Sequence, residues 1–304
     1  MLLPSQAFFE ITRSCNQACP FCSCPWFAED GAPTTPEMEL PEWQAAATEL
    51  IANGVRHIAV TGGEPTLAPY TPSLLRHIAA KLQLFHPKES TTLALFTNGK
   101  NVDEKWFNLL LECHAELYTS LPGLTTFPEQ TGCPNADYRK LLAFIHTATL
   151  RGIRGSVGVT ITRPMLSELY ETISYAIISG AQTVILNLFK PSGRGKSHPE
   201  LLLSDQEVLQ VATIAEEIAV KCEGTCSIVG EFPPFVNASS YPHLTLATHC
   251  VAARESFTVA PDGWLHVCEH DPEPICHWQN WRHLQDSEKW RQFATRIHAV
   301  CPLF

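Results

Sequence analysis

Short apolar runs alternate along the chain with longer stretches whose apolar positions recur at helical spacing. The first run is Phe8, Phe9 and Ile11, a strand. Residues 41–53 predict a helix. Pro41 suits its first turn, Trp43, Ala47, Leu50 and Ile51 share one face, and Gly54 ends it. Further strands are predicted at 57–60, 92–96, 116–120, 156–161, 183–189 and near 226–230, with helices at 72–83, 103–113, 137–150, 166–179 and 205–220 between them. Six or seven strand–helix units in a row imply a parallel sheet with helices outside it. This is an α/β fold. About 230 residues suit a partial (β/α)6 TIM-type barrel better than a closed barrel of eight units.

The pattern changes at Glu231-Phe232-Pro233-Pro234. Beyond it, 257–259 and 264–267 flank Pro261-Asp262-Gly263 and predict a β-hairpin, with Asp-Gly as the turn; 284–298 predict a helix. The expected division is a barrel over 1–235 and a small α+β module over 236–304. The second part is short for a core of its own, so something should staple it.

Composition narrows the function. Of 304 residues, 45% are hydrophobic and 17% charged, enough to bury a core. The net charge of −10 argues against nucleic acid as a partner. No apolar run is long enough to span a membrane, and no secretory signal is visible, so a cytoplasmic protein is expected. The twelve cysteines are too dilute for a disulfide scaffold. In a reducing compartment, clustered cysteines point to metal or redox chemistry.

Cys15, Cys19 and Cys22 follow the first strand as C-x3-C-x2-C. A compact loop can turn three thiolates toward one iron–sulfur cluster and leave one iron open. Zinc sites show paired C-x2–4-C halves, which this triplet lacks. Thr61-Gly62-Gly63-Glu64-Pro65 follows the second strand and Thr97-Asn98-Gly99 the third. All three motifs fall at the carboxyl ends of parallel strands, where such folds build active sites. Gly62 and Gly63 are expected to let a ligand approach the backbone, and Glu64 could accept from an ammonium group.

ITRSCNQACPFC, TGGEPTL and FTNGK resemble the radical SAM superfamily over roughly residues 7–195. In that family S-adenosylmethionine binds the open iron of a [4Fe-4S] cluster. The resemblance implies that Cys15, Cys19 and Cys22 hold the cluster. Phe21 would lie beside the adenine, and Gly62, Gly63 and Glu64 would bind the methionine amino group. Asn98, Ser120 and Thr160 would meet the carboxylate or ribose. The product would be a 5′-deoxyadenosyl radical that takes hydrogen from an unactivated carbon, a step that needs no side-chain acid or base. An electron donor such as flavodoxin or ferredoxin is expected.

Cys250-x12-Gly263-x4-Cys268 brackets the predicted hairpin. The spacing resembles the SPASM/twitch extension of radical SAM enzymes, which carries auxiliary iron–sulfur clusters. Here the chain stops at CPLF, so a twitch-like module with one auxiliary [4Fe-4S] cluster is expected. Its ligands would be Cys250 and Cys268, with Cys301, and with Cys276 as fourth unless that iron stays open.

Cys24, Cys113, Cys133, Cys222 and Cys226 are read as structural. Arg13 and Arg194 lie at the strand-end face, either for an anionic substrate or in solvated or capping roles. The long 25–40 segment is expected to cover the site. Enzymes with such a module often mature ribosomal peptides by cross-linking, oxidation or epimerisation. With the cluster reached by residue 15, no fused leader-binding domain fits, so a separate peptide-recognition protein is expected. The alternatives are a radical dehydrogenase or epimerase of a sugar or aminocyclitol, and, from another class, a zinc-stabilised binding protein.

Overall fold

A computed structural model describes residues 3–27, 35–247, 249–295 and Cys301. Eleven strands form one sheet in the order β11-β10-β9-β1-β2-β3-β4-β5-β6-β7-β8. The barrel strands are β1 (Gln6–Glu10), β2 (His57–Thr61), β3 (Thr92–Phe96), β4 (Glu116–Ser120), β5 (Gly155–Ile161), β6 (Thr183–Leu188) and β7 (Ser227–Glu231). Each pairs in parallel with the next. The helices between them are α1 (Leu40–Ala52), α2 (Thr71–Phe85), α3 (Glu104–Glu112), the single turn α4 (Phe127–Gln130), α5 (Tyr138–Leu150), α6 (Leu169–Ile178) and α7 (Asp205–Lys221). This is the expected partial barrel.

Local chemistry sets the boundaries. Asp103 caps α3 by accepting from the amides of Lys105 and Trp106. Ser204 and Glu207 form a capping box at α7. Pro164 and the buried Glu168 hold 163–168 as a 3₁₀ turn, so α6 begins later than the periodicity predicts. The inner and outer faces of the strands are both covered, and Phe9, Ile11, Leu95, Val159 and Leu186 sit in one core.

The C-terminal segment does not stand apart. β9 (Ser256–Val259) runs parallel to β1, pairing Ala7 with Phe257 and Phe9 with Val259. β10 (Trp264–His266) and β11 (Cys276–His277) extend that edge antiparallel, and β8 (Thr245–Ala247) extends the other edge beside β7. Phe257 packs edge-on to Trp290 of α8 (Glu288–Thr295). The core of the second module is therefore continuous with the barrel core. The predicted helix at 284–298 appears as a 3₁₀ segment, Trp278–Asp286, followed by α8; residues 296–298 lie outside the described part. Among the described residues, no helix is long and apolar enough to cross a membrane.

Candidate active site

The carboxyl ends of β2 to β6 open on one cavity of about 360 Å³. Cys15, Cys19, Cys22 and Phe21 form one side of it. Gly62, Gly63 and Glu64 follow from the end of β2, Asn98 from β3, Ser120 from β4 and Thr160 from β5. Every predicted residue of the first site thus lines the same space.

The cysteine loop is held in shape by its own backbone and by a distant loop. The amide of Cys22 donates to the Cys19 carbonyl at 3.1 Å, and that of Ala18 to Thr131 at 3.0 Å. Arg194 donates to the Cys19 carbonyl at 2.9 Å while stacking 4.7 Å over the Phe27 ring. Its role is to clamp the loop. Arg13 turns away from the cavity, to Asp262 (3.0 Å) and the Thr35 carbonyl (2.8 Å). Of the expected lid, Pro25–Phe27 form a 3₁₀ turn, and 28–34 lie outside the described residues.

Burial first, then the neighbouring thiols, pushes the Cys19 thiol up; burial also leads the rise of Cys15, with Cys22 adding to it. A hydrogen bond from Cys24 leads the effects that pull Cys22 down to about 7, with Arg194 adding to it and burial opposing. Thiolates grouped this way repel one another, and iron cations remove that repulsion. An all-sulfur donor set fits an iron–sulfur cluster. Among the described residues, no three His, Cys, Asp or Glu side chains converge as a single metal ion would require; these thiols line the wall of a larger space.

The two glycines also make a close contact within the chain. A Cβ on Gly62 would lie 2.6 Å from the Thr12 carbonyl oxygen, and one on Gly63 2.2 Å from that of Ser14. The start of the cysteine loop packs against them. Gly63 donates to Thr12 and Glu64 to Ser14, both at 2.7 Å. The buried Glu64 carboxylate then ties β2 to β3. It accepts from Thr66 N (3.0 Å), Thr66 Oγ1 (2.6 Å), Thr97 Oγ1 (2.8 Å) and Asn98 N (2.8 Å). The Asn98 side-chain amide donates to Asn16 at 2.7 Å, back into the cysteine loop.

Several wall residues have no role assigned from the sequence. Phe96 and Tyr118 stack at 3.9 Å and 9°. The Tyr118 hydroxyl accepts from Asn187 at 3.0 Å, and burial raises its pKa to about 12. Gly158 makes room for it, since a Cβ there would lie 2.1 Å from that hydroxyl. Lys190 and Glu231 pair at 2.9 Å on the wall, where Glu269 and His270 also stand. Burial would lower the Lys190 ammonium, but Glu231 outweighs it and holds its pKa above normal. Cys24 and Cys133 are closer to this site than their isolation in sequence suggests. Cys24 also meets the Gly62 carbonyl at 3.7 Å, and Cys133 accepts from Lys100 at 3.0 Å.

The second cysteine group divides. Burial leads the upward shifts of Cys250 and Cys268, and Cys301 contributes to both. Cys276 is raised by burial alone. It pairs across the strands with Leu265, and its thiol meets the Asn280 carbonyl at 3.6 Å. None of the other three thiols contributes to its shift.

Similarity to known proteins follows the same map. The PqqA peptide cyclase of Ruegeria pomeroyi is 26% identical over 277 residues, covering 90% of this chain and 70% of that protein. The sporulation killing factor maturation protein SkfB of Bacillus subtilis is 24% identical over 180 residues, 59% of this chain and 41% of that one. The crystal structure of Streptococcus suis SuiB bound to S-adenosylmethionine superposes with a TM-score of 0.73 at 13% identity, over 96% of this chain and 68% of that one. A family model described as the Radical SAM superfamily matches residues 9–174, from the end of β1 into α6. That span exceeds half of the chain and contains the cysteine triad and both strand-end motifs, so the protein is an enzyme of the radical SAM superfamily, with a [4Fe-4S] cluster and S-adenosylmethionine as cofactors.

Proposed function

We propose that this enzyme matures a ribosomally made peptide, by cross-linking, oxidation or epimerisation at an unactivated carbon. The observation that carries the reading is the extent of likeness to a peptide cyclase. It runs through the C-terminal module as well as the barrel, over 90% of the chain. A second relative is a maturation protein by name. The dehydrogenase and epimerase readings for small molecules have no comparable support.

In this proposal Cys15, Cys19 and Cys22 hold the first cluster. Gly62, Gly63 and Glu64 receive the methionine amino group, Asn98, Ser120 and Thr160 its carboxylate and the ribose, and Phe21 the adenine. Bound there, the cluster and S-adenosylmethionine supply a 5′-deoxyadenosyl radical. The chain orients the sulfonium and excludes water. The Lys190–Glu231 pair stands on the same wall, toward the second thiol group. Cys250, Cys268 and Cys301 hold one auxiliary cluster, without Cys276. A flavodoxin or ferredoxin delivers the electron in the cytoplasm, and a separate protein presents the peptide.

The test is anaerobic reconstitution with S-adenosylmethionine, dithionite and candidate precursor peptides. The expected result is 5′-deoxyadenosine together with a peptide that has lost two hydrogens, or has taken up one solvent deuteron at an inverted centre. Deoxyadenosine formation with every peptide unchanged, alongside turnover of a sugar, would overturn the peptide reading.

A further inference from the structure

A second cavity of about 400 Å³ lies between the first strand's end and the C-terminal hairpin. Glu10, Trp26, Asp262, Trp264, Glu269 and Asp271 line it. Glu269 also lines the first cavity, so the two spaces share a wall.

The polar atoms of this space are poorly satisfied. Glu10, the last residue of β1, is only 4% exposed, and its carboxyl makes no hydrogen bond or ion pair among the described residues. Among the described residues, Trp26 Nε1, Asp271 Oδ2 and Arg13 Nε are buried without a partner. A buried acid left alone is costly, and a buried donor or acceptor left unmade costs about 1–3 kcal/mol. Burial first, then Glu269, Cys22 and Asp262, raises the Glu10 pKa well above normal. The cations nearby do not answer this charge. Arg13 is already bound to Asp262 and Lys289 to Asp271 Oδ1 (2.6 Å), and Lys196 stands exposed at the rim. The space is lined by four acids, Glu10, Asp262, Glu269 and Asp271, and by the indoles of Trp26 and Trp264.

We propose that this second cavity is a recognition pocket for a basic side chain, lysine or arginine, of the peptide substrate, with Glu10 as its counter-ion. The assignment rests on the peptide reading above. A guanidinium or ammonium entering here meets Glu10 and the second oxygen of Asp271, and the indoles of Trp26 and Trp264 that line the space suit a cation. The carbonyl of the same peptide offers an acceptor to the Trp26 N–H. Because Glu269 borders both spaces, a peptide anchored in the second cavity has its neighbouring residues beside the first.

The test is calorimetry on the anaerobically reconstituted holoenzyme, with N-acetyl-arginine amide and its neutral isostere N-acetyl-citrulline amide as probes. The arginine probe should bind saturably in the millimolar range and at least tenfold tighter than citrulline. Glu10→Gln should remove that preference, and Glu10→Asp should keep part of it. Equal binding of the two probes to the wild-type enzyme, which requires no variant, would overturn the proposal. So would undiminished preference in Glu10→Gln. The measurement uses neither precursor peptide nor turnover. Arginine-selective binding without any peptide product would therefore count against the peptide function alone, and peptide product without selectivity against the pocket alone.

Discussion

A Cβ on Gly63 would sit 2.2 Å from the carbonyl oxygen of Ser14. The glycine after β2 and the loop that carries the cluster cysteines therefore touch backbone to backbone. Gly63→Ala must push that loop outward. Overpacking of this kind costs about 1–3 kcal/mol. The first cluster should assemble poorly, with iron content falling from about eight toward about four per chain while the auxiliary cluster persists. Full iron loading in Gly63→Ala would show that the loop can yield.

Glu64 accepts four hydrogen bonds and has two jobs, joining β2 to β3 and facing the cavity. Glu64→Ala strands the hydroxyl of Thr97, which is 6% exposed, and the amide of Asn98. The expected loss is about 2 kcal/mol or more of stability. Glu64→Gln keeps the shape but removes the charge. It should unfold within a few degrees of wild type yet bind S-adenosylmethionine at least tenfold more weakly by calorimetry. Wild-type affinity in Glu64→Gln would remove the amino-group role.

Glu168 fixes the loop that follows β4. Its carboxylate accepts from Leu124 N (2.8 Å), Thr125 N (2.8 Å), Thr125 Oγ1 (2.6 Å), Thr126 N (3.1 Å) and the Thr126 hydroxyl. Burial alone would raise its pKa, but the two threonine hydroxyls and the amides outweigh it and hold the value below normal. A depressed carboxylate stabilises the fold above its unfolded pKa, about 4.3, and the contribution is lost as pH falls through the lower folded value. Thermal unfolding across the acid range should show this loss in the wild type. In Glu168→Gln the protein should be less stable at neutral pH and should lack that component at low pH.

The division within the second cysteine group is directly measurable. Cys276→Ser should leave iron at about eight per chain and the auxiliary spectrum unchanged. Cys301→Ser, and Cys250→Ala with Cys268→Ala, should lower it toward about four. Iron lost in Cys276→Ser would restore that residue as the fourth ligand.

Much of the barrel was legible in the chain. Strands 92–96 and 116–120 fall where the apolar runs place them, because each is bounded by strong signals such as Asn98-Gly99. The first site was legible for a related reason. Cys15, Gly62, Glu64 and Asn98 lie within a few residues of strand ends, and a parallel sheet brings those ends to one face. Tyr118 and Asn187 were not legible there, because a residue inside a strand reads as core until its neighbours define a cavity. The hairpin read as a separate module because local pattern cannot reveal that β9 would pair in parallel with β1, some 250 residues earlier, a contact set by the open edge of the sheet.

The sequence by itself determined the architecture, the radical SAM chemistry and the ligands expected for its cluster, since each depends on residue types at short range. Tertiary structure decided the rest. It showed that Gly62 and Gly63 pack against the cysteine loop, that the Cys276 thiol meets the Asn280 carbonyl, and that Glu10 is buried beside a second cavity. These are relations between groups far apart in the chain. Only packing fixes such distances, and packing also decides which polar atoms find partners.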